Sequence, residues 1–196
     1  MNCLFIDACV SLRGPDSRTR ALLDAFWEGY RETHPDDACT CLRVSELGLK
    51  PLTEEALRER DALAARQAFS DPLFAQARLF QAADQIVVAA PFWDLSFPAL
   101  LRVYIEHISV CGLCYHYDEK GCHGDCRASR LAYLTTGGDL RKPESLGVLY
   151  WKQLAEMFGI PRFDDVFADG LDLDPEKAPE RMVRPLEQAR QLGRDF

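Results

Sequence analysis

Residues 86–90, I-V-V-A-A, form an unbroken apolar run closed by Pro91. The run is too short for a buried helix and too continuous for a strand with one wet face. It predicts a central parallel strand covered on both sides. Pro91 ends that strand because proline has no N–H to give a ladder. Phe92 and Trp93 follow, and Ser96 and Pro98 then offer a helix start. Ligands of open α/β sheets bind beyond the carboxyl ends of the strands. Two large aromatics there either fold back into the core or present a face to a flat ligand.

The rest of the chain repeats the unit. Strands are predicted over residues 3–10, 38–44 and 130–135, and one around 166–168. Between them lie helical patterns. Leu22, Ala25, Phe26, Gly29 and Tyr30 share one face. Thr53 before Glu54 and Glu55 starts a second helix, partly exposed, and Asp71-Pro72 starts a third. Residues 98–108 and 144–158 are helical, the latter with Leu146, Leu149, Tyr150, Leu154, Met157 and Phe158 inward and Gly159 as its stop. The last helix begins near Pro179, turns Val183 inward with Met182, and is kinked at Pro185. Residues 111–128 read as a long loop. Strict alternation of strand and helix specifies a parallel sheet with helices on both faces. For this length the five-stranded order 2-1-3-4-5 is expected, with residues 1–196 as a single domain.

The formal net charge of −8 argues against nucleic acid or an anionic membrane as partner. No apolar run approaches the ~20 residues of a membrane span, and no signal peptide is evident. Eight cysteines without a secretion signal point to reduced thiols in the cytoplasm. Cys3, Cys9, Cys39 and Cys41 fall in or beside strands, where cysteine is a small buried hydrophobe.

In the order 2-1-3-4-5 the loops after strands 1, 3 and 4 face one crevice. The first, residues 11–20, carries Ser11, Ser17 and Thr19 with Arg13, Arg18 and Arg20 ahead of a helix N-terminus. Its hydroxyls either cap the helix or hold an anion, and Asp16 works against an anion. The second holds Phe92, Trp93, Asp94 and Leu95. The third, Thr135-Thr136-Gly137-Gly138, offers backbone N–H groups. A phosphate tethered to a flat heteroaromatic satisfies all three, and flavin mononucleotide (FMN) is the natural candidate.

Across nearly its whole length the chain resembles the FMN-dependent azoreductases and quinone reductases of the flavodoxin-like superfamily. Ser11 and Ser17-Arg18-Thr19 stand where that family holds the FMN phosphate. Ala90-Pro91 followed by Phe92-Trp93-Asp94-Leu95 matches its A-P and aromatic loop against the flavin. The helix from Pro98 to Glu106, Thr135-Thr136-Gly137-Gly138 and V-F-A-x-G-L at 166–171 are also similar. Two positions depart: Asp94 stands where the family often has Asn, and Thr136 where it often has Arg. The resemblance implies a flavodoxin-like three-layer α/β/α sandwich and two-electron ping-pong transfer from NAD(P)H to a small acceptor, a quinone, azo or nitro aromatic. It also implies a homodimer whose partner subunit completes the pocket, with Tyr115 and Tyr117 near the substrate and His116 as a proton donor or an exposed loop residue. No obligatory catalytic side chain is implied. An electron carrier that does not oxidise NAD(P)H is the alternative.

One feature lies outside that pattern. Cys111, Cys114, Cys122 and Cys126, interspersed with His116 and His123, allow a zinc or iron–sulfur site, a reversible thiol pair, or inert thiols. A metal-organised binding module is a further alternative on this ground.

Overall fold

A computed structural model describes residues 1–10, 13–142 and 145–196. Five strands form one parallel sheet: β1 (Asn2–Asp7), β2 (Ala38–Arg43), β3 (Gln85–Ala89), β6 (Arg130–Thr136) and β7 (Arg162–Ala168). Their order is β2-β1-β3-β6-β7, which is 2-1-3-4-5 when only these five are counted. Every pairing is parallel, with Leu4 opposite Ile86 and Ile86 opposite Leu131. The run that opened the sequence reading is central, and all five residues of β3 are buried.

The alternation of side chains across the pleat divides the core in two. Leu4, Ile6, Ile86, Val88, Leu131 and Tyr133 face helices α3 (Ala75–Ala82), α4 (Ala99–Ile108) and α5 (Leu146–Met157). Cys3, Phe5, Val87, Ala89, Ala132 and Leu134 face α1 (Arg18–Thr33) and α6 (Ala178–Arg194). The helices α1 and α6 touch backbone to backbone: a Cβ on Gly29 would strike the Arg190 carbonyl, and one on Gly193 the Phe26 carbonyl. The helix α2 (Glu54–Ala65) buries no residue fully, as its thin apolar face predicts.

Local signals place several ends. The side chains of Thr53 and Asp71 accept from the N–H groups of Ala56 and Leu73. The N-cap of α4 is Pro98. Gly159, at φ +77°, closes α5. The first strand stops at Asp7, before the predicted residue 10, because the Asp7 carboxylate accepts from Cys9 N (2.9 Å) and turns the chain. The strand β7 is longer than 166–168, and α6 continues through Pro185 as one element.

Four expectations are corrected. Residues 111–128 are not simply a loop: Tyr115–Asp118 (β4) and Gly121–Gly124 (β5) pair as an antiparallel hairpin, His116 opposite His123. Its strands carry no apolar alternation, so periodicity could not show it. On α5 the buried face runs through Val148, Trp151, Leu154 and Ala155, while Leu146 and Leu149 are exposed. Val183 is exposed on α6. Cys41 is exposed because β2 is an edge strand. Among the described residues no helix is long and apolar enough to cross a membrane.

Candidate cofactor cleft

At the carboxyl edge of the sheet, segments following β1, β3, β6 and β7 enclose a cavity of about 120 Å³. One side of it is the N-terminus of α1. The Ser17 hydroxyl caps that helix by accepting from Arg20 N at 3.3 Å. Within the helix the first bond runs from Ala21 N to Ser17 O. The N–H groups of Arg18 and Thr19 therefore have no intrahelical acceptor, as at any helix start. Ser17, Arg18, Thr19 and Arg13 all line the cavity. Buried Asp7 lies beneath, its charge met by Arg20 at 2.8 Å.

The aromatic side is a tight turn after β3. Ser96 N donates to Trp93 O at 2.8 Å, and Asp94 and Leu95 between them have φ of +49° and +66°. Two successive left-handed residues have the φ signs of a type I′ turn. Aspartate tolerates that conformation, whereas for leucine it costs on the order of 1 kcal/mol. The strained turn leaves Trp93 and Leu95 exposed. Phe92 is anchored by its N–H to Thr136 O (2.9 Å) and its ring lies 5.5 Å from that of Phe167.

The third side is the end of β6. Gly137 N donates to Ala168 O (2.8 Å), so this N–H is already engaged. Among the described residues the N–H groups of Asp94, Leu95 and Gly138 have no protein acceptor. A Cβ on Gly138 would meet the exposed Asp172 side chain, which would have to swing aside. Asp172 also pairs with Arg18 at 2.8 Å across the cavity mouth.

The cleft therefore gathers Ser17, Arg18, Thr19, Phe92, Trp93, Thr136, Gly137 and Gly138 from the predicted set. Ser11 lies outside the described residues. Thr135 does not line the cavity; its hydroxyl is buried without a hydrogen-bond partner among the described residues. Asp94 flanks the cavity, and Leu95 lines a neighbouring one. Sequence reading missed Cys9, Leu171 and Asp172 as cavity residues. Cys9 had read as strand core, although its place two residues past the end of β1 was the signal. Burial raises its thiol pKa, and Asp7 adds to the effect. For Leu171 and Asp172 no signal existed beyond the V-F-A-x-G-L segment.

The hairpin residues are elsewhere. A Cβ on Gly124 would strike the backbone of Phe158 and Gly159 at the end of α5, and Arg127 N donates to Gln81 O at the end of α3. The hairpin base is thus fastened at the amino edge of the sheet, and Tyr115, His116 and Tyr117 do not line this chain's own cleft. His116 and His123 stack with centroids 5.3 Å apart, each against its own carboxylate, Asp125 at 2.8 Å and Asp118 at 2.7 Å. The four cysteines do not form one cluster, although the thiols of Cys114 and Cys126 adjoin and their interaction, with burial, pushes the Cys126 thiol pKa up. Cys114 is buried, Cys126 half-buried with its thiol 3.6 Å from the Cys114 carbonyl, and Cys111 and Cys122 are exposed. Among the described residues no three metal-ligating side chains form a site.

The donor chemistry fits FMN in kind. A helix N-terminus with two arginines and a hydroxyl suits a phosphate, and the exposed indole with Phe92 suits a flat ring.

Relatives agree. The family model Flavodoxin_2, flavodoxin-like fold, matches residues 1–192. "FMN-dependent NADH:quinone oxidoreductase 2" of Clostridium acetobutylicum is 31% identical over 185 residues, 92% of either chain. "FMN-dependent NADH:quinone oxidoreductase" of Clostridium perfringens strain ATCC 13124 is 28% identical over 98% of each. An azoreductase from Bacillus anthracis superposes with a TM-score of 0.87 over all of both chains at 23% identity. A Bacillus anthracis FMN-dependent NADH-azoreductase solved with FMN gives 0.81 at 17%, over 98% of this chain and 99% of that one. With its sheet order, its cleft and these matches, the chain belongs to the family of flavodoxin-like fold.

Proposed function

We propose that the chain is an FMN-dependent NAD(P)H oxidoreductase reducing quinones and azo or nitro aromatics, with residues 1–196 serving as one FMN-binding domain. The observation that carries this is the convergence of the α1 N-terminus, the Phe92–Trp93 turn and Thr136–Gly138 on one cleft. Relatives named as FMN-dependent NADH:quinone oxidoreductases over 92% of their length support it. FMN, when bound, supplies two-electron hydride chemistry.

The chain's own groups bind and orient. The N–H groups of Arg18 and Thr19 with the Arg18 and Arg13 side chains hold the phosphate; Ser17 keeps the helix start in place. Phe92 and Trp93 support the ring. The free N–H groups of Asp94, Leu95 and Gly138 serve its polar edge, where preorganised donors stabilise charge on the reduced form. Thr135 acts from beneath, as the residue that leads β6 into Thr136.

We further propose a homodimer. Leu95, Leu146 and Leu149 are exposed apolar side chains near the cleft, and the hairpin tyrosines stand away from their own cleft, so Tyr115, Tyr117 and His116 serve the partner's pocket. The acceptor is a small molecule. Eight free cysteines agree with a reducing cytoplasm.

The test begins with colour: purified protein is yellow, or becomes so with FMN. NADH or NADPH then bleaches the flavin, and menadione or an azo dye sustains turnover. Ser17→Ala and Thr19→Ala weaken FMN binding by fluorescence titration. A chain that takes up FMN but is not bleached by either nucleotide is a carrier and not this enzyme.

A further inference from the structure

The base of the hairpin brings together two sulfurs that the cofactor cleft does not use. Tyr115 pairs with Gly124, and one step further out Asp125 N donates to Cys114 O at 2.9 Å. There the returning strand leaves the ladder. Cys126 N donates instead to Phe158 O at 3.2 Å, and Arg127 N to Gln81 O at 3.0 Å. This departure brings the Cys126 sulfur onto the Cys114 backbone, where it donates to Cys114 O at 3.6 Å. The Cys114 sulfur is held in turn by Ala77 O of α3 at 3.5 Å. Cys114 is buried and Cys126 half-buried, and their thiols adjoin. Cys111 and Cys122 stand exposed on the same segment.

Both partners are fixed by backbone contacts, so the sulfurs meet without a search through chain conformations. Preorganisation of that kind raises the effective concentration of one thiol at the other and favours their disulfide. The hydrogen bond with Cys114 first, and burial second, raise the Cys126 thiol pKa. A protonated thiol is a poor nucleophile, so the pair stays reduced until an oxidant is abundant.

We propose that Cys114 and Cys126 are a reversible oxidation site, which closes as a disulfide across the hairpin base when a peroxide is present. The half-buried Cys126 sulfur attacks one peroxide oxygen. The O–O bond breaks, hydroxide leaves and takes the Cys126 proton as water, and a sulfenic acid remains. The Cys114 sulfur then attacks the Cys126 sulfur, and the displaced hydroxide takes the Cys114 proton as a second water. Two thiols give up two electrons, and the peroxide becomes two waters. The new bond joins the start of β4 to the segment docked on Phe158 and so fastens the hairpin. The assignment does not depend on a bound flavin.

The experiment uses the full chain carrying Cys111→Ser and Cys122→Ser. A tryptic cut after Lys120 then leaves one thiol in each of peptides 103–120 and 121–127. Folded protein is treated with millimolar hydrogen peroxide, alkylated in denaturant and digested without reductant. The two peptides emerge joined, the chain is two hydrogens lighter, and dithiothreitol restores both thiols. Amide exchange across residues 115–124 slows severalfold in the linked form. Cys114→Ser in the same background abolishes the link and leaves a Cys126 sulfenic acid that dimedone traps. Fragment spectra of the chain with all eight cysteines show the same link, which covers misfolding in the variants. Separate peptides, whether alkylated or carried on to sulfinic and sulfonic acids, overturn the proposal. A link to Cys111 or Cys122 in place of this one also overturns it, as does a linked form whose amide exchange is no slower.

Discussion

Thr19 Oγ1 and Thr136 Oγ1 lie 2.5 Å apart in the interior, one on the first turn of α1 and the other at the end of β6. The bond ties the α1 side of the cleft to its glycine side. It also gives the Thr19 hydroxyl a protein partner, so the residue contributes its N–H and its position more than its oxygen. Thr136 forms the other half of the same tie.

Breaking that tie on one side leaves a buried hydroxyl unpaired. Thr19→Val or Thr136→Val alone is expected to cost about 1–3 kcal/mol. The double variant recovers part of the loss, because both polar groups are then gone. Urea melts of the three variants give the coupling, and additive losses would show that the bond contributes nothing.

The turn after β3 separates conformation from charge. Asn and Asp both tolerate a left-handed backbone, so Asp94→Asn retains the turn and FMN affinity within about twofold. Removing the carboxylate beside an electron-rich ring raises the flavin midpoint potential. Potentiometric titration checks this; an unchanged or lowered potential means the carboxylate points away from the ring.

The hairpin dock depends on one missing Cβ. Gly124→Ala forces the hairpin off the end of α5 and is expected to cost about 1–3 kcal/mol, the usual range for overpacking. Amide exchange locates the loss: protection falls across residues 115–124 and at Ile160, while β3 is unaffected.

Acid loosens the same hairpin at its tip. The Asp118 carboxyl is held below its ordinary pKa by the Lys120 backbone N–H first and by His123 second. A depressed carboxyl contributes stability above the ordinary carboxylate range, near 3.9, and loses it as pH falls through the folded value. Tyr117 fluorescence followed from pH 6 to pH 2 reports the transition, and Asp118→Asn removes it.

Much of this fold was legible because β3 and β6 are buried end to end: residues 86–90 read as an apolar run, and residues 131–134 fill the middle of β6. Three of the cleft's four sides followed from their place after strands. The fourth did not, since Asp172 reaches Arg18 only through the three-dimensional return of the chain. The hairpin escaped for a different reason: cross-strand pairs such as His116 and His123 stabilise it, and pairs of polar residues leave no periodic trace. On α5 a helical stripe was read correctly as helix but rotated, because Leu146 and Leu149 belong to the exposed side and Trp151 supplies the buried bulk.

The contact of α1 with α6 through Gly29 and Gly193 reaches further than packing. On the proposed reading the first turn of α1 takes the cofactor phosphate, while its later turns rest directly on the backbone of another helix. Cofactor binding and docking of the C-terminal helix are therefore thermodynamically linked. Saturating FMN is expected to slow proteolytic clipping within residues 178–194, and bulk introduced at Gly193 is expected to appear first as a protein that has lost its colour.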